Sequence, residues 1–113
     1  MKKDIRDGKV AVLYSPGYGA GWSTWNDEFP EILFDPSIVY MVEEMNKSTG
    51  EDAKNDWVSN ITEYCKRNYL DVYTGGVEDL VVAWLPVGTQ FRIEEYDGSE
   101  TLILAEDDIW MTA

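Results

Sequence analysis

A chain of 113 residues carries 9 basic and 22 acidic side chains, a net charge of −13, and no histidine. That charge repels nucleic-acid phosphates and anionic lipid heads, which argues against direct nucleic-acid or membrane-surface binding. The missing histidine removes Ser-His-Asp and Cys-His nucleophile systems and the usual zinc and iron ligand sets, so a non-enzymatic protein without metal or cofactor is expected.

Hydrophobic residues make up 44% of the chain and include five tryptophans, enough apolar surface for one core; a single domain over 1–113 follows. Met1 precedes Lys2, Lys3 and Asp4 with no apolar leader, and no apolar run approaches the roughly 20 residues that span a bilayer. A cytoplasmic protein is expected.

Val10 to Tyr14, bounded by Asp7-Gly8 and Ser15-Pro16-Gly17, reads as a buried strand. Residues 15–34 hold three glycines and two prolines without helical period, and read as a long loop. Asp35-Pro36 then supplies an N-cap and a first-turn proline, with Ile38, Met41, Val42 and Met45 on one face of a helix ending near Gly50. Trp57, Ile61, Tyr64 and Cys65 repeat that spacing over about 52–68, with acids at the start and Lys66 and Arg67 at the end. Cys65 falls in the apolar stripe and reads as a buried thiol.

Leu80 to Leu85 is an apolar strand closed by Pro86, and Asp97-Gly98 marks a hairpin. A two-residue turn there sets Tyr96 opposite Ser99, Ile93 opposite Leu102 and Phe91 opposite Leu104, which gathers the large apolar residues on one face. The same register puts Glu95 opposite Glu100, a like-charge pair that needs a cation, a water or a partner's basic group between them. Asp108 to Ala113 is expected to add a short strand through Ile109 and Met111. The fold class is therefore α+β: a mostly antiparallel sheet of four to five strands with two helices on one face. Its order is β, long loop, α, α, β, β, β and the optional last strand.

Two regions stand out as sites. Glu94, Glu95, Asp97, Glu100, Glu106, Asp107 and Asp108 form a run of seven acids without a base, a surface that a basic partner could read. Paired carboxylates there could in principle do acid–base chemistry, but strand carboxylates are usually solvated, and no catalytic residue is assigned.

The second region is Gly17-x-Gly19-x-Gly21 after a strand, which is similar to phosphate-cradling loops. However, Trp22 stands where the next fingerprint glycine belongs, and no basic residue occurs between Lys9 and Lys47. Tyr18, Gly19, Gly21, Trp22, Trp25 and Tyr73 are candidates for a small ligand, such as a nucleotide signal, or for a protein partner; exposed aromatics there would also favour a homodimer. The structural alternative is a compact loop whose Trp22, Trp25 and Phe29 pack back onto the sheet.

Tyr14-Ser15-Pro16-Gly17-Tyr18-Gly19-Ala20-Gly21-Trp22, Tyr73-Thr74-Gly75-Gly76 and Phe91 to Gly98 together resemble a small family of tailed-bacteriophage proteins that brings no assigned activity. The resemblance implies an accessory protein in the host cytosol that binds and inhibits or modulates a host protein, such as a defence or nucleic-acid-binding factor. An acidic surface would then act as a nucleic-acid mimic toward a basic partner.

Overall fold

The computed structural model describes residues 2–17 and 21–105. The expected strand over 108–113 lies outside the described residues. The chain is α+β, with its described strands divided between two antiparallel sheets. β1 (Ile5–Arg6), β2 (Lys9–Tyr14) and β3 (Val81–Pro86) form a sheet in the order β1-β2-β3, and β4 (Phe91–Tyr96) pairs with β5 (Ser99–Leu104) in a separate hairpin.

The single larger sheet expected from sequence is thus corrected, and β1 supplies part of the reason. Asp7-Gly8 is a two-residue turn of the same kind as Asp97-Gly98: Asp7 and Gly8 have φ of 51° and 75°, Asp97 and Gly98 of 52° and 83°. It folds β1 back onto β2, pairing Arg6 with Lys9. That edge of β2 is then taken near its start, and the C-terminal hairpin reaches it only past its end.

The expected long loop also contains structure. It holds one helical turn, α1 (Trp22–Trp25), and a 3-10 turn at Pro30–Phe34. Both are too short to show an amphipathic period.

α2 (Pro36–Lys47) and α3 (Glu51–Asn68) form where the periodicity puts them. Ile38, Val39, Val42 and Met45 of α2 and Ile61 and Cys65 of α3 join Ala11, Leu13, Trp22 and Leu80 in the core, with Val82 and Trp84 packed against them. On the opposite face of the sheet, Val10, Val12 and Leu85 border a hollow shared with Phe34 and Phe91. Each fully buried Leu, Ile, Val or Met side chain among these stabilises the fold by about 1.5–3 kcal/mol.

Asp35 does more than cap α2. Its carboxylate accepts from Ser37 N–H at 2.9 Å and Ile38 N–H at 3.4 Å, and also from Tyr64 O–H at 2.9 Å and Tyr69 O–H at 2.6 Å. One N-cap side chain therefore staples the start of α2 to the last turns and exit of α3. Burial, with the Asp35 charge adding to it, raises the Tyr64 and Tyr69 hydroxyls and pushes the Cys65 thiol up from 9.0 to about 12.

The sign of the resulting pH dependence follows from these shifts. Groups held protonated in the fold but free to ionise in the unfolded chain contribute stability that is fully present below the unfolded pKa. It is lost as pH rises from about 9 toward about 12, the interval of the Cys65 shift. Urea midpoints should therefore hold to about pH 9 and fall above it, and native Cys65 should resist thiol reagents until the chain unfolds.

Candidate functional site

The site begins with Ser15, the residue after β2. Its N–H donates to Glu100 Oε1 at 2.8 Å, its C=O accepts from Glu100 N–H at 3.0 Å, and its hydroxyl donates to Gly76 C=O at 2.9 Å. The other carboxylate oxygen of Glu100 accepts from Thr24 N–H of α1 at 2.8 Å. Nearby, Ser99 Oγ donates to Pro16 C=O at 2.6 Å.

Glu100 is 2% exposed. A buried carboxylate is costly unless hydrogen-bonded, and here two backbone N–H groups hold its two oxygens. Glu100 is therefore corrected from an outward partner-binding acid to a buried tie among β5, β2 and α1. The register that sets Glu95 opposite Glu100 holds. The two carboxylates part: Glu100 turns to Ser15 and Thr24, while Glu95 accepts from Gly98 N–H at 2.6 Å within its own turn.

α1 starts at Gly21, whose φ of 78° suits glycine. A Cβ there would stand 2.5 Å from the Trp25 ring. The turn divides its two tryptophans. Trp22 is 0% exposed and belongs to the core, so it is corrected from the list of ligand- or partner-binding residues, whereas Trp25 is 65% exposed. Tyr73, 36% exposed, meets Trp25 with ring centroids 5.6 Å apart and planes at 33°.

Asn26 fixes this pair. Its buried amide donates to Trp22 C=O at 2.9 Å and to Tyr73 C=O at 2.8 Å, and its Oδ1 accepts from Tyr73 N–H at 2.8 Å. The two glycine–aromatic segments are thus brought together. Asn26, which with Ser15 does the joining, carried no motif in the sequence. The one available signal was the Glu95–Glu100 register, which required one of those carboxylates to find other company.

The glycines make room for the protein's own side chains. A Cβ at Gly17 would strike the Asp79 carboxylate, and one at Gly75 would strike the Tyr73 ring. With Trp25 over Gly21, no described glycine of the two segments among these three leaves an open cradle, and the Asp79 carboxylate would repel a phosphate placed against Gly17.

Of the expected acidic run, Glu94, Glu95 and Asp97 stand on the exposed surface of the hairpin, with Glu94 accepting from Arg92 Nε at 2.9 Å. Glu106, Asp107 and Asp108 lie outside the described residues, as do Tyr18 and Gly19. No group of three or more metal-ligating side chains occurs among the described residues. No helix among them is long and apolar enough to cross a membrane. The sequence reading also missed a hollow of about 560 Å³ between α2 and α3, bordered by Tyr40, Met41, Trp57, Tyr64 and Arg67. Tyr40 lies just off the apolar stripe that marks α2, so periodicity passes over it.

No family model matches this chain, nor does any curated protein or solved structure.

Replacing Glu100 by Gln keeps the shape but turns an NH₂ donor toward one of the two backbone N–H groups. We expect a loss of about 1–3 kcal/mol. The urea midpoint reads the loss, and amide exchange at Ser15 and Thr24 should accelerate with it. Equal stability of the two proteins would show that the carboxylate does not hold the joint.

Proposed function

We propose that this protein is a non-catalytic binding module that holds a protein partner on the Trp25–Tyr73 pair, with its net negative charge drawing in a partner of basic surface. The observation that carries the reading is the aromatic pair itself: two large rings left exposed on backbone that buried Asn26 and Glu100 fix in place. Exposed aromatics on a rigid mount bind without first losing conformational freedom, and aromatic anchors dominate the energetics of many interfaces.

The charge plays a second part. Glu94, Glu95 and Asp97 at the hairpin tip, within a net charge of −13, supply a long-range field rather than shape. Such a field raises association rates toward a cationic surface and weakens as salt screens it. Taken with the resemblance to tailed-phage proteins, the partner is a bacterial host protein whose activity is inhibited or modulated. A nucleotide ligand in the glycine segments is less well supported, because Asp79, Trp25 and Tyr73 occupy the faces it would need.

The test uses the immobilised protein and a host lysate, followed by binding measurements with the captured partner. Wild type should retain a discrete partner, and the double variant Trp25→Ala/Tyr73→Ala should bind it at least about 30-fold more weakly, a loss of about 2 kcal/mol. Raising salt from about 50 to about 500 mM should slow association with little effect on dissociation. Capture that is indifferent to the double variant would remove the aromatic pair from the interface.

A further inference from the structure

Among the described residues β3 is an edge strand, and the bonds around β2 show which of its backbone groups face outward. Ala11 N–H donates to Asp4 C=O at 3.0 Å and Val87 N–H to Gly8 C=O at 2.9 Å. With the register, these bonds put the groups of Lys9, Ala11 and Leu13 on the β1 side and those of Val10, Val12 and Tyr14 on the β3 side. Val81, Ala83 and Leu85 therefore bond to β2, and Val82, Trp84 and Pro86 turn away from it.

Both ends of that outer edge are closed. Leu80 C=O accepts from Asn46 Nδ2 at 3.0 Å. Pro86 has no N–H to offer, the position where an edge strand tolerates proline, and its C=O accepts from Thr89 N–H at 3.0 Å. Between them, the N–H and C=O groups of Val82 and Trp84 have no partner among the described residues.

We propose that a second copy of this chain completes the edge, β3 pairing antiparallel with β3 about a two-fold axis at Ala83. In that register Val82 of each copy faces Trp84 of the other, and each such pair exchanges two hydrogen bonds. Every open group of the stretch is then used on both copies, and Leu80 falls opposite Pro86, where nothing is left to pair. The contact closes on itself, as a two-fold interface must.

Charge agrees with this occupant. Residues 80–90 contain no charged side chain, in a chain that is 27% charged. Edge strands are usually guarded by lysines or bulges against such pairing. Here the facing side chains are all apolar, Val82 against Trp84, Val81 against Leu85 and Ala83 against itself, so no like-charge pair forms across the axis. The repulsion that remains comes from the net charge of −13 on each copy, and salt screens it. The dimer therefore strengthens with salt, opposite to the response of a basic partner on Trp25 and Tyr73.

Light scattering and sedimentation on the full chain, from about 5 to about 500 μM at low and high salt, read the equilibrium by mass action. We expect the mass to double with concentration and the midpoint to move to lower concentration as salt rises. Val82→Pro deletes an outward N–H that β2 does not use, and should stay folded and monomeric over the same range. Ala83→Pro deletes one that β2 does use, and should destabilise the fold. Trp25→Ala/Tyr73→Ala should dimerise like wild type.

Amide exchange on the unaltered chain decides the matter if Val82→Pro does not fold: the Val82 and Trp84 amides should gain protection as concentration rises. A monomer at every concentration overturns the proposal. So does a dimer that persists in Val82→Pro, or in which those two amides stay unprotected, and so does open-ended assembly.

Discussion

The carboxylate of Glu100 is the joint on which the arrangement of the site depends. It is buried, it belongs to a hairpin that among the described residues shares no ladder with the larger sheet, and it takes one N–H from Ser15 and one from Thr24. Ser15, Thr24 of the following turn and the distant β5 meet at those two oxygens. A neutral side chain of the same length could accept at one oxygen but not at two. The alignment of α1 with the end of β2 thus rests on a buried side chain whose two oxygens both accept from backbone, where leaving either N–H unpaired is costly.

From that joint the exposure of Trp25 follows. α1 is a single turn, too short to be stable alone, and Glu100 and Asn26 hold its two ends. With Trp22 committed to the core, the rest of the turn is fixed, and Trp25 has nowhere to go but outward over Gly21 and against Tyr73. The aromatic surface is thus a product of core packing on one side of the turn and backbone clamping on the other. That is also why it is preorganised.

What could be read from the sequence was local chemistry. The cap at Asp35, the two long helices, the β5 register and the buried Cys65 each depend on residues a few positions apart, and each stands where the pattern puts it. What could not be read was chosen by distant partners. Asp7-Gly8 carries the same turn chemistry as Asp97-Gly98, yet Ile5–Arg6 is too short to show alternation, so pattern alone reveals neither β1 nor the division into two sheets. Glu100 looked like one more surface acid in an acidic run, and Trp22 looked like Trp25. Only the fold, through Ser15, Thr24 and the core, tells the members of each pair apart.

The division of strands into two sheets also bears on how the molecule is held together. β4 and β5 contact each other along their length and meet the rest at the Glu100 joint, the Ser99–Pro16 bond, α1, and an apolar face against Phe34. A hairpin with a tight turn forms in microseconds from local contacts, while the joint to Ser15 must close a loop of more than eighty residues. The hairpin's own pairing is therefore local, whereas its attachment to the helix-backed sheet depends on contacts distant in sequence. The Thr24 amide is held by that distant attachment, so one of the clamps on α1 reaches across the boundary between the two sheets while Asn26 and Trp22 hold it from within.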